Sequence, residues 1–123
     1  AMWSNCLFVA LGGGLGAVGR YLLSLIAAPW SFPVMTLLTN FLGAVVIGAV
    51  AQAAGQLPMS KSAVLFLKTG LCGGFTTFST FSLETVELLE QGRWAAGGGY
   101  ILASVGLCLA GVLLGRALVW KIL

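Results

Sequence analysis

The side chains of this sequence that could take part in chemistry are mainly hydroxyls, concentrated in one stretch. Residues 69–82, TGLCGGFTTFSTFS, combine two adjacent glycines with a run of threonines, serines and phenylalanines. The chain has no histidine or aspartate, and its acidic residues are Glu84, Glu87 and Glu90. A Ser-His-Asp arrangement is therefore impossible, and a His/Cys/carboxylate metal site has no credible ligand set. We expect that the protein is not an enzyme and interpret its polar groups as hydrogen-bond partners along a permeation path.

The apolar remainder of the chain indicates an integral membrane protein. Of its 123 residues, 59% are hydrophobic and only 7% are charged. A soluble domain of this size could not hide so much apolar surface. Long segments without charge approach or exceed the roughly 20 residues that cross a hydrocarbon core of about 30 Å.

Four predicted spans cover almost the whole chain, which predicts an all-α membrane protein. A single four-helix transmembrane domain is expected over residues 1–123, with spans at about 3–28, 34–55, 62–91 and 94–120. Prolines, glycine and polar residues fill the short links between the spans. Tryptophans fall at the predicted span ends, where indoles favour the headgroup level: Trp3, Trp30, Trp94 and Trp120.

The charged residues and cysteines bear on three further properties: a signal peptide, disulfides and the orientation in the membrane. A cleavable signal peptide is disfavoured because no basic residue precedes the first apolar run and Arg20 interrupts it. The cysteines at 6, 72 and 108 lie in predicted spans without CxxC spacing, so no disulfide framework is expected. Basic residues are divided almost evenly between the two predicted sides, which permits insertion in both orientations or carries no topological information.

Two spans carry isolated polar side chains at membrane depth. Asn40 lies several residues into the second span, where an amide must find a partner because exposure to lipid is costly. It either lines a path or joins two helices. In the fourth span, Tyr100, Ser104 and Cys108 recur at i, i+4 and i+8 and so share one helical face. Small residues at a helix interface explain Ser104 and Cys108 equally well, but Tyr100 needs water or an acceptor.

Glycine spacing indicates close helix packing. Gly12 and Gly16 in the first span, and Gly111 and Gly115 in the fourth, have the four-residue spacing that lets helices approach closely. This spacing predicts a compact bundle. Four short helices can hardly enclose a hydrated path alone, so a homo-oligomer is expected.

The third span is predicted to break near its middle. Gly73 and Gly74 weaken the helix by about 1 kcal/mol each relative to alanine, and the hydroxyls of Thr76 and Thr77 can bond to the backbone instead. Such a break is acceptable in a membrane only if the freed groups are buried, bind an ion or meet water. The half-helix before it would present carbonyls that suit a cation. The alternative is an unbroken helix with small residues at a crossing point.

Beyond the predicted break, aromatic and polar side chains alternate. Phe75, Phe78 and Phe81 are spaced i, i+3 and i+6, while Thr77, Thr80 and Glu84 line a neighbouring face; Ser82 follows directly. These phenylalanines either face lipid and core or meet an anion with their positive ring edges. Ring edges and Asn40 N–H donors together would give weak serial contacts, which suit conduction.

Three segments resemble the signature regions of the Fluc (CrcB) fluoride channels. They are GGGLGAVGRY in the first span, TLLTNFLGAVVIG in the second and GLCGGFTTFSTFSLE in the third. Their order and spacing are similar to the family's along essentially the full chain. The resemblance implies a fluoride-selective passive channel that exports cytoplasmic fluoride and confers fluoride resistance.

The resemblance also implies an assembly, a location and a bound ion. It implies an antiparallel dual-topology homodimer in the lipid bilayer of the plasma (inner) membrane of a prokaryote, with no nucleic-acid partner. A structural, untransported sodium ion would lie at the dimer centre, on backbone carbonyls of Gly73 and Thr76 from both subunits.

Position by position, the resemblance assigns roles to the polar residues. Asn40 would be the pore amide, and Phe78 and Phe81 the paired rings. Cys108 stands where the family pattern leads us to expect a hydroxyl, whereas Phe75 is interpreted as packing. The remaining anion-pathway residues would be Thr80, Glu84, Tyr100, Ser104 and Arg20.

Two other classes remain as alternatives. A small four-span proton-coupled multidrug or cation exporter would need a membrane-embedded carboxylate, typically in its first span, which here contains Arg20 and no acid. A non-conducting membrane subunit would leave the pattern of asparagine, threonines and phenylalanines without a role.

Overall fold

The computed structural model describes residues 1–29 and 31–123, and its chain is helical over most of that length. Trp30, one of the predicted headgroup tryptophans, lies outside the described residues. The helices in chain order are α1 (Met2–Ser24), α2 (Val34–Gln56), α3 (Lys61–Val64), the π-helical segment (Leu65–Cys72), α4 (Gly73–Phe75), α5 (Phe78–Glu90) and α6 (Trp94–Ile122).

The predicted all-α membrane architecture is confirmed. Within the described ranges, α1, α2 and α6 are each long and apolar enough to cross a membrane. The third span consists of α3, the π-helical segment and α4, followed after a break by α5. The predicted break is therefore present, and it falls at Thr76 and Thr77.

The helix of the first span ends four residues before the approximate bound predicted for that span. α1 stops at Ser24, and residues 25–28 form a turn and an irregular stretch. Pro29 follows directly, and the residue before a proline is disfavoured in the helical conformation. The apolar composition of residues 25–28 gave no indication of this end, because hydrophobicity measures membrane affinity and not backbone conformation.

α1 packs against the first half of the third span through direct backbone contact. Gly12 and Gly16 are its two buried residues. A Cβ atom built at Gly16 would overlap the carbonyl oxygen of Leu71, and one built at Gly74 would overlap the carbonyl oxygen of Gly13. The two backbones therefore touch at these glycines, as the spacing of Gly12 and Gly16 indicates.

α2 and α6 form a second close pair. Gly111 and Gly115 of α6 are buried, and a Cβ atom at Gly115 would overlap the carbonyl oxygen of Val45 in α2. α5, the second half of the third span, packs against α6, and its Leu88 is buried. The third span thus packs against α1 before the break and against α6 after it.

The link between α5 and α6 is a tight helix-ending turn. Gly92 has φ +76°, a conformation that favours glycine over residues with a Cβ atom. Its N–H donates to the carbonyl of Leu89 (3.0 Å), and the N–H of Arg93 donates to the carbonyl of Leu88 (3.0 Å). These two bonds form a Schellman motif, which fixes where Arg93 leaves the helix.

Candidate permeation site at the break in the third span

The break is a two-residue extended segment inside the bundle. Thr76 has φ −82° and ψ 156°, and Thr77 has φ −148° and ψ 110°. Neither conformation continues a helix. Backbone polar groups are therefore released at membrane depth and need other partners.

Asn40 supplies those partners for Thr77. The N–H of Thr77 donates to Oδ1 of Asn40 (2.7 Å), and Nδ2 of Asn40 donates to the carbonyl of Thr77 (3.1 Å). In a continuous helix the same N–H would bond to the carbonyl of Gly73. The amide thus joins α2 to the break, as expected if Asn40 connects two helices. Because the N–H of Thr77 donates to Asn40, the Gly73 carbonyl does not receive its usual helical hydrogen bond.

The two threonine hydroxyls complete the ends of the flanking helices. Thr76 Oγ1 donates to the carbonyl of Cys72 (2.9 Å), so it closes the end of α4. Thr77 is the N-cap of α5: its Oγ1 accepts from the N–H of Thr80 (3.1 Å) and donates to Thr80 Oγ1 (3.0 Å). The hydroxyls turn toward the backbone as expected, because an N-cap threonine satisfies a free N–H at the helix start.

A row of aromatic rings runs from the break toward α6. Phe78 and Phe81 have ring centroids 5.4 Å apart, and Phe81 meets Tyr100 in an edge contact at 5.0 Å. Phe32, from the link before α2, continues the row with an edge contact to Tyr100 at 5.3 Å. Phe32 was not predicted from the sequence, because a residue in a link has no helical periodicity that could pair it with α6.

The row ends at a carboxylate held by two hydroxyls. Tyr100 Oη donates to Oε1 of Glu84 (2.9 Å), and Thr36 Oγ1 donates to Oε2 (3.0 Å). Glu84 thus ties α5 to both α6 and α2, and Tyr100 is completely buried. Thr36 was not among the predicted site residues, although it lies four residues before Asn40 and so on the same face of α2.

Arg20 reaches the break from α1. Its Nε donates to the carbonyl of Gly74 (3.2 Å). It also lines a cleft of about 70 Å³ between α1, α2 and α5. The other residues lining this cleft are Ser24, Met35, Thr36, Thr39, Thr77 and Thr80.

A larger groove also borders the break, along α6. It has a volume of about 410 Å³, and most of its lining is apolar. The hydroxyl of Ser104, only 8% exposed, has no hydrogen-bond partner within residues 1–29 and 31–123. The predicted site residues along this groove are Asn40, Gly73, Thr76, Phe78, Phe81 and Ser104, with Cys108 beside them.

The structure therefore distributes the predicted residues over two spaces beside the break. Arg20 and Thr80 line the smaller cleft, and Phe78 and Phe81 line the groove. Glu84 bonds to Thr36 of the cleft, and Tyr100 contacts Phe81 of the groove. Phe75 lines neither space. Its ring lies near Gly19 of α1 and Gly43 of α2, in agreement with its interpretation as packing.

The fold and this site together define a small multi-pass membrane protein whose third span breaks beside a groove that contains aromatic and hydroxyl side chains. Residues 7–116 match the family model described as CrcB-like protein, Camphor Resistance (CrcB). The chain belongs to the CrcB family.

Several relatives are similar over nearly their whole length. A protein of Ruminiclostridium cellulolyticum is 45% identical over 118 residues, which cover 93% of this chain and 91% of the relative. One of Roseiflexus sp. is 48% identical over 115 residues (90% and 93%), and one of Shewanella frigidimarina is 47% identical over 122 residues (96% and 98%). All three are named fluoride-specific ion channel FluC.

Proposed function

We propose that this chain forms a fluoride-specific ion channel in the plasma membrane of a prokaryote. It lets cytoplasmic fluoride leave the cell passively and so confers fluoride resistance. Membership of the CrcB family and the names of its relatives support this function. The protein acts by conduction and carries out no covalent chemistry.

The aromatic and hydroxyl row beside the break is the observation that carries the proposal. Phe78, Phe81 and Tyr100 follow one another at centroid distances of 5.4 and 5.0 Å. Ring edges and hydroxyls attract an anion weakly, whereas a fixed cation would hold it. Among the described residues, no lysine or arginine lines the groove that contains this row. Such serial weak contacts suit rapid passage of a small anion.

The proposed path joins the smaller cleft to the groove. An anion enters beside Arg20 and Thr80, where the guanidinium offsets part of the cost of leaving water. It then passes Asn40, which has one N–H left after its bond to Thr77. The rings of Phe78 and Phe81 present their edges to it next.

The far part of the path is controlled by the contacts of Glu84. An anion that reaches Tyr100 competes with the Glu84 carboxylate for the tyrosine hydroxyl, which donates only one hydrogen bond. Ser104 offers a hydroxyl without any internal partner. Passage therefore requires exchange of hydrogen bonds among groups already present.

An antiparallel homodimer is part of the proposal. The groove is open along α6, and Phe78 is 79% exposed in the single chain. Lipid cannot satisfy the Ser104 hydroxyl or the diverted Gly73 carbonyl, since hydrocarbon offers no hydrogen bonds. A second copy laid over the groove in the opposite orientation would cover these groups and bring the two breaks together.

The break also fits a structural sodium ion. The Gly73 carbonyl has lost its helical partner because the N–H of Thr77 donates to Asn40. The Thr76 hydroxyl donates to the carbonyl of Cys72. The carbonyl oxygens of Gly73 and Thr76 are therefore the ligands that each subunit would offer to sodium. Such uncharged oxygens suit a monovalent hard cation. Sodium bound there would neutralise the facing carbonyl dipoles and hold the two subunits together.

A flux assay on purified protein in liposomes tests the function. We expect passive release of fluoride, measured with a fluoride electrode, and far slower release of chloride. Proton-dependent uptake of an organic cation would instead indicate an exporter, and well-folded protein without flux would indicate a non-conducting subunit.

Replacement of sodium tests the bound ion separately. Exchange for a large inert cation should weaken or inactivate the dimer, measured by size-exclusion chromatography and flux. Full activity and an unchanged dimer after exhaustive sodium removal would contradict the site at Gly73 and Thr76.

A further inference from the structure

We propose that Arg93, held by Ser31, sets the electrostatic potential at the mouth of the path beyond Glu84 and so controls the rate at which anions cross that mouth. This inference rests on the proposed channel function and adds a residue that lies outside the row of rings. Three features of the structure lead to it: a cleft, a fixed guanidinium and an excess of carboxylates.

A cleft of about 250 Å³ lies at the end of α5. It is bounded by the link before α2, the last turns of α5 and Arg93. Glu84 lines this cleft and also bonds to Tyr100 and Thr36 on its inner side. The same carboxylate therefore separates the row of rings from the cleft, which makes the cleft the outer mouth of the path.

Arg93 is fixed over this mouth by contacts at both ends of the residue. Its backbone N–H closes the Schellman motif at the end of α5 (3.0 Å to the carbonyl of Leu88). Its guanidinium donates from Nη1 to the carbonyl of Ser31 (3.2 Å) and from Nη2 to Oγ of Ser31 (3.1 Å). A planar guanidinium presents its N–H groups in a rigid fork, so two bonds to one residue restrict its position.

The charges in this mouth would repel an anion without Arg93. Glu84 and Glu87 both line the cleft, and Arg93 is the one cation among its described lining residues. Two carboxylates and one guanidinium leave the mouth with an excess of negative charge. The position of Arg93 decides whether an approaching fluoride meets attraction or repulsion first, and such local fields change encounter rates.

Ionic strength separates this role from a structural one. The Debye length falls from about 30 Å at 0.01 M salt to about 3 Å at 1 M. Exposed electrostatic steering is therefore strong in dilute salt and nearly absent in concentrated salt. A contact that merely holds the two links together shows no such dependence on salt.

The experiment measures fluoride release from neutral phosphatidylcholine vesicles at several concentrations of potassium gluconate, with sodium constant. Arg93→Gln should release fluoride about threefold more slowly than the wild type in dilute salt, with the difference disappearing near 1 M. Arg93→Lys, which keeps the charge, should stay close to the wild type. Lys121→Gln removes the same charge from an exposed site outside the cleft and should have no effect.

A second pair of variants tests the mouth if Arg93→Gln fails to fold. Ser31→Asp places a carboxylate against the guanidinium and should reproduce the slow, salt-dependent release. Ser31→Asn adds no charge, so its rate of fluoride release should fall less than that of Ser31→Asp.

Equal rates for Arg93→Gln and the wild type in dilute salt would overturn the inference. A deficit of the same size at every salt concentration would also overturn it, because the role would then be structural. Absence of fluoride flux in the wild type would instead overturn the proposed function and this inference with it.

Discussion

The two halves of the third span hold their places by different means. Before the break, the π-helical segment and α4 contact α1 backbone to backbone at glycines. After the break, α5 is held by side-chain contacts. Thr77 caps its first turn, hydroxyls donate to the Glu84 carboxylate, and Phe81 makes an edge contact with Tyr100. The packing of the first half depends on close backbone contact, whereas the packing of the second half depends on individual polar and aromatic side chains.

This difference separates the consequences of mutation. A substitution before the break should act on folding, since a backbone in direct contact cannot move aside for an added atom. A substitution after the break should act on conduction, because it changes one polar or aromatic group while the helix remains packed. The predictions below test that separation, beginning with the largest expected effect.

Gly16→Ala should destabilise the protein most. The added methyl overlaps the carbonyl oxygen of Leu71 and lies 2.7 Å from the backbone nitrogen of Phe75. Overpacking of this kind costs about 1–3 kcal/mol or more. We expect loss of monodisperse protein in thermal denaturation followed by size-exclusion chromatography. The matched variant Gly14→Ala, with nothing within 4 Å of the new atom, should behave as the wild type; equal loss in both variants would contradict the backbone contact.

Asn40→Ala should impair both folding and flux, because Asn40 lies at the boundary between the halves. The change leaves the N–H and carbonyl of Thr77 without their partners and costs about 1–3 kcal/mol per unsatisfied group. Thermal stability and fluoride release should both fall. Gln52→Ala removes an amide whose hydrogen bond is to Gln56, on an exposed face, and should change neither; a stable Asn40→Ala would show that the break does not depend on this amide.

Tyr100→Phe should lower flux and leave the fold intact. The ring keeps its edge contacts with Phe32 and Phe81, while Glu84 loses one donor and the path loses one hydroxyl. A hydrogen bond to a charged group is worth about 1.5–3 kcal/mol, which corresponds to about tenfold or more in rate. Fluoride release measures the effect, and Tyr21→Phe on the exposed face of α1 is the control. Unchanged release would remove this hydroxyl from the path.

Phe81→Ile should have the smallest effect of the four. The isoleucine fills similar space but lacks the positive ring edge, and an aromatic contact is worth about 0.5–1.5 kcal/mol. Fluoride release should fall about threefold to tenfold, while the oligomer seen by size-exclusion chromatography stays the same. Full flux in the variant would exclude the Phe81 ring as part of the path.

The sequence predicted features that depend on local composition. The four spans follow from the apolar composition of the chain, and the break follows from adjacent glycines before β-branched threonines. The π-helical geometry of residues 65–72 was not predicted, since that stretch carries no distinguishing pattern and lies against α1 at its glycines. The apolar residues after Ser24 likewise gave no indication that the first helix ends there.

Contacts between residues far apart in the sequence were the hardest features to predict. The sequence placed Asn40 at membrane depth but could not show that it bonds to Thr77, because nothing local pairs residues 37 positions apart. Thr36 and Phe32 were missed for the same reason, and Arg93 was counted only as a charge in a link. The pathway roles of the candidate site residues remain predictions, and the variants of Asn40, Tyr100 and Phe81 test three of them.

The most direct test of the channel function is the reversal potential of current through the protein in a planar bilayer. With fluoride on one side and chloride on the other, passive fluoride-specific conduction predicts a reversal potential that follows the fluoride gradient and ignores the chloride gradient. A reversal potential that follows chloride, or no current from well-folded protein, would contradict the account.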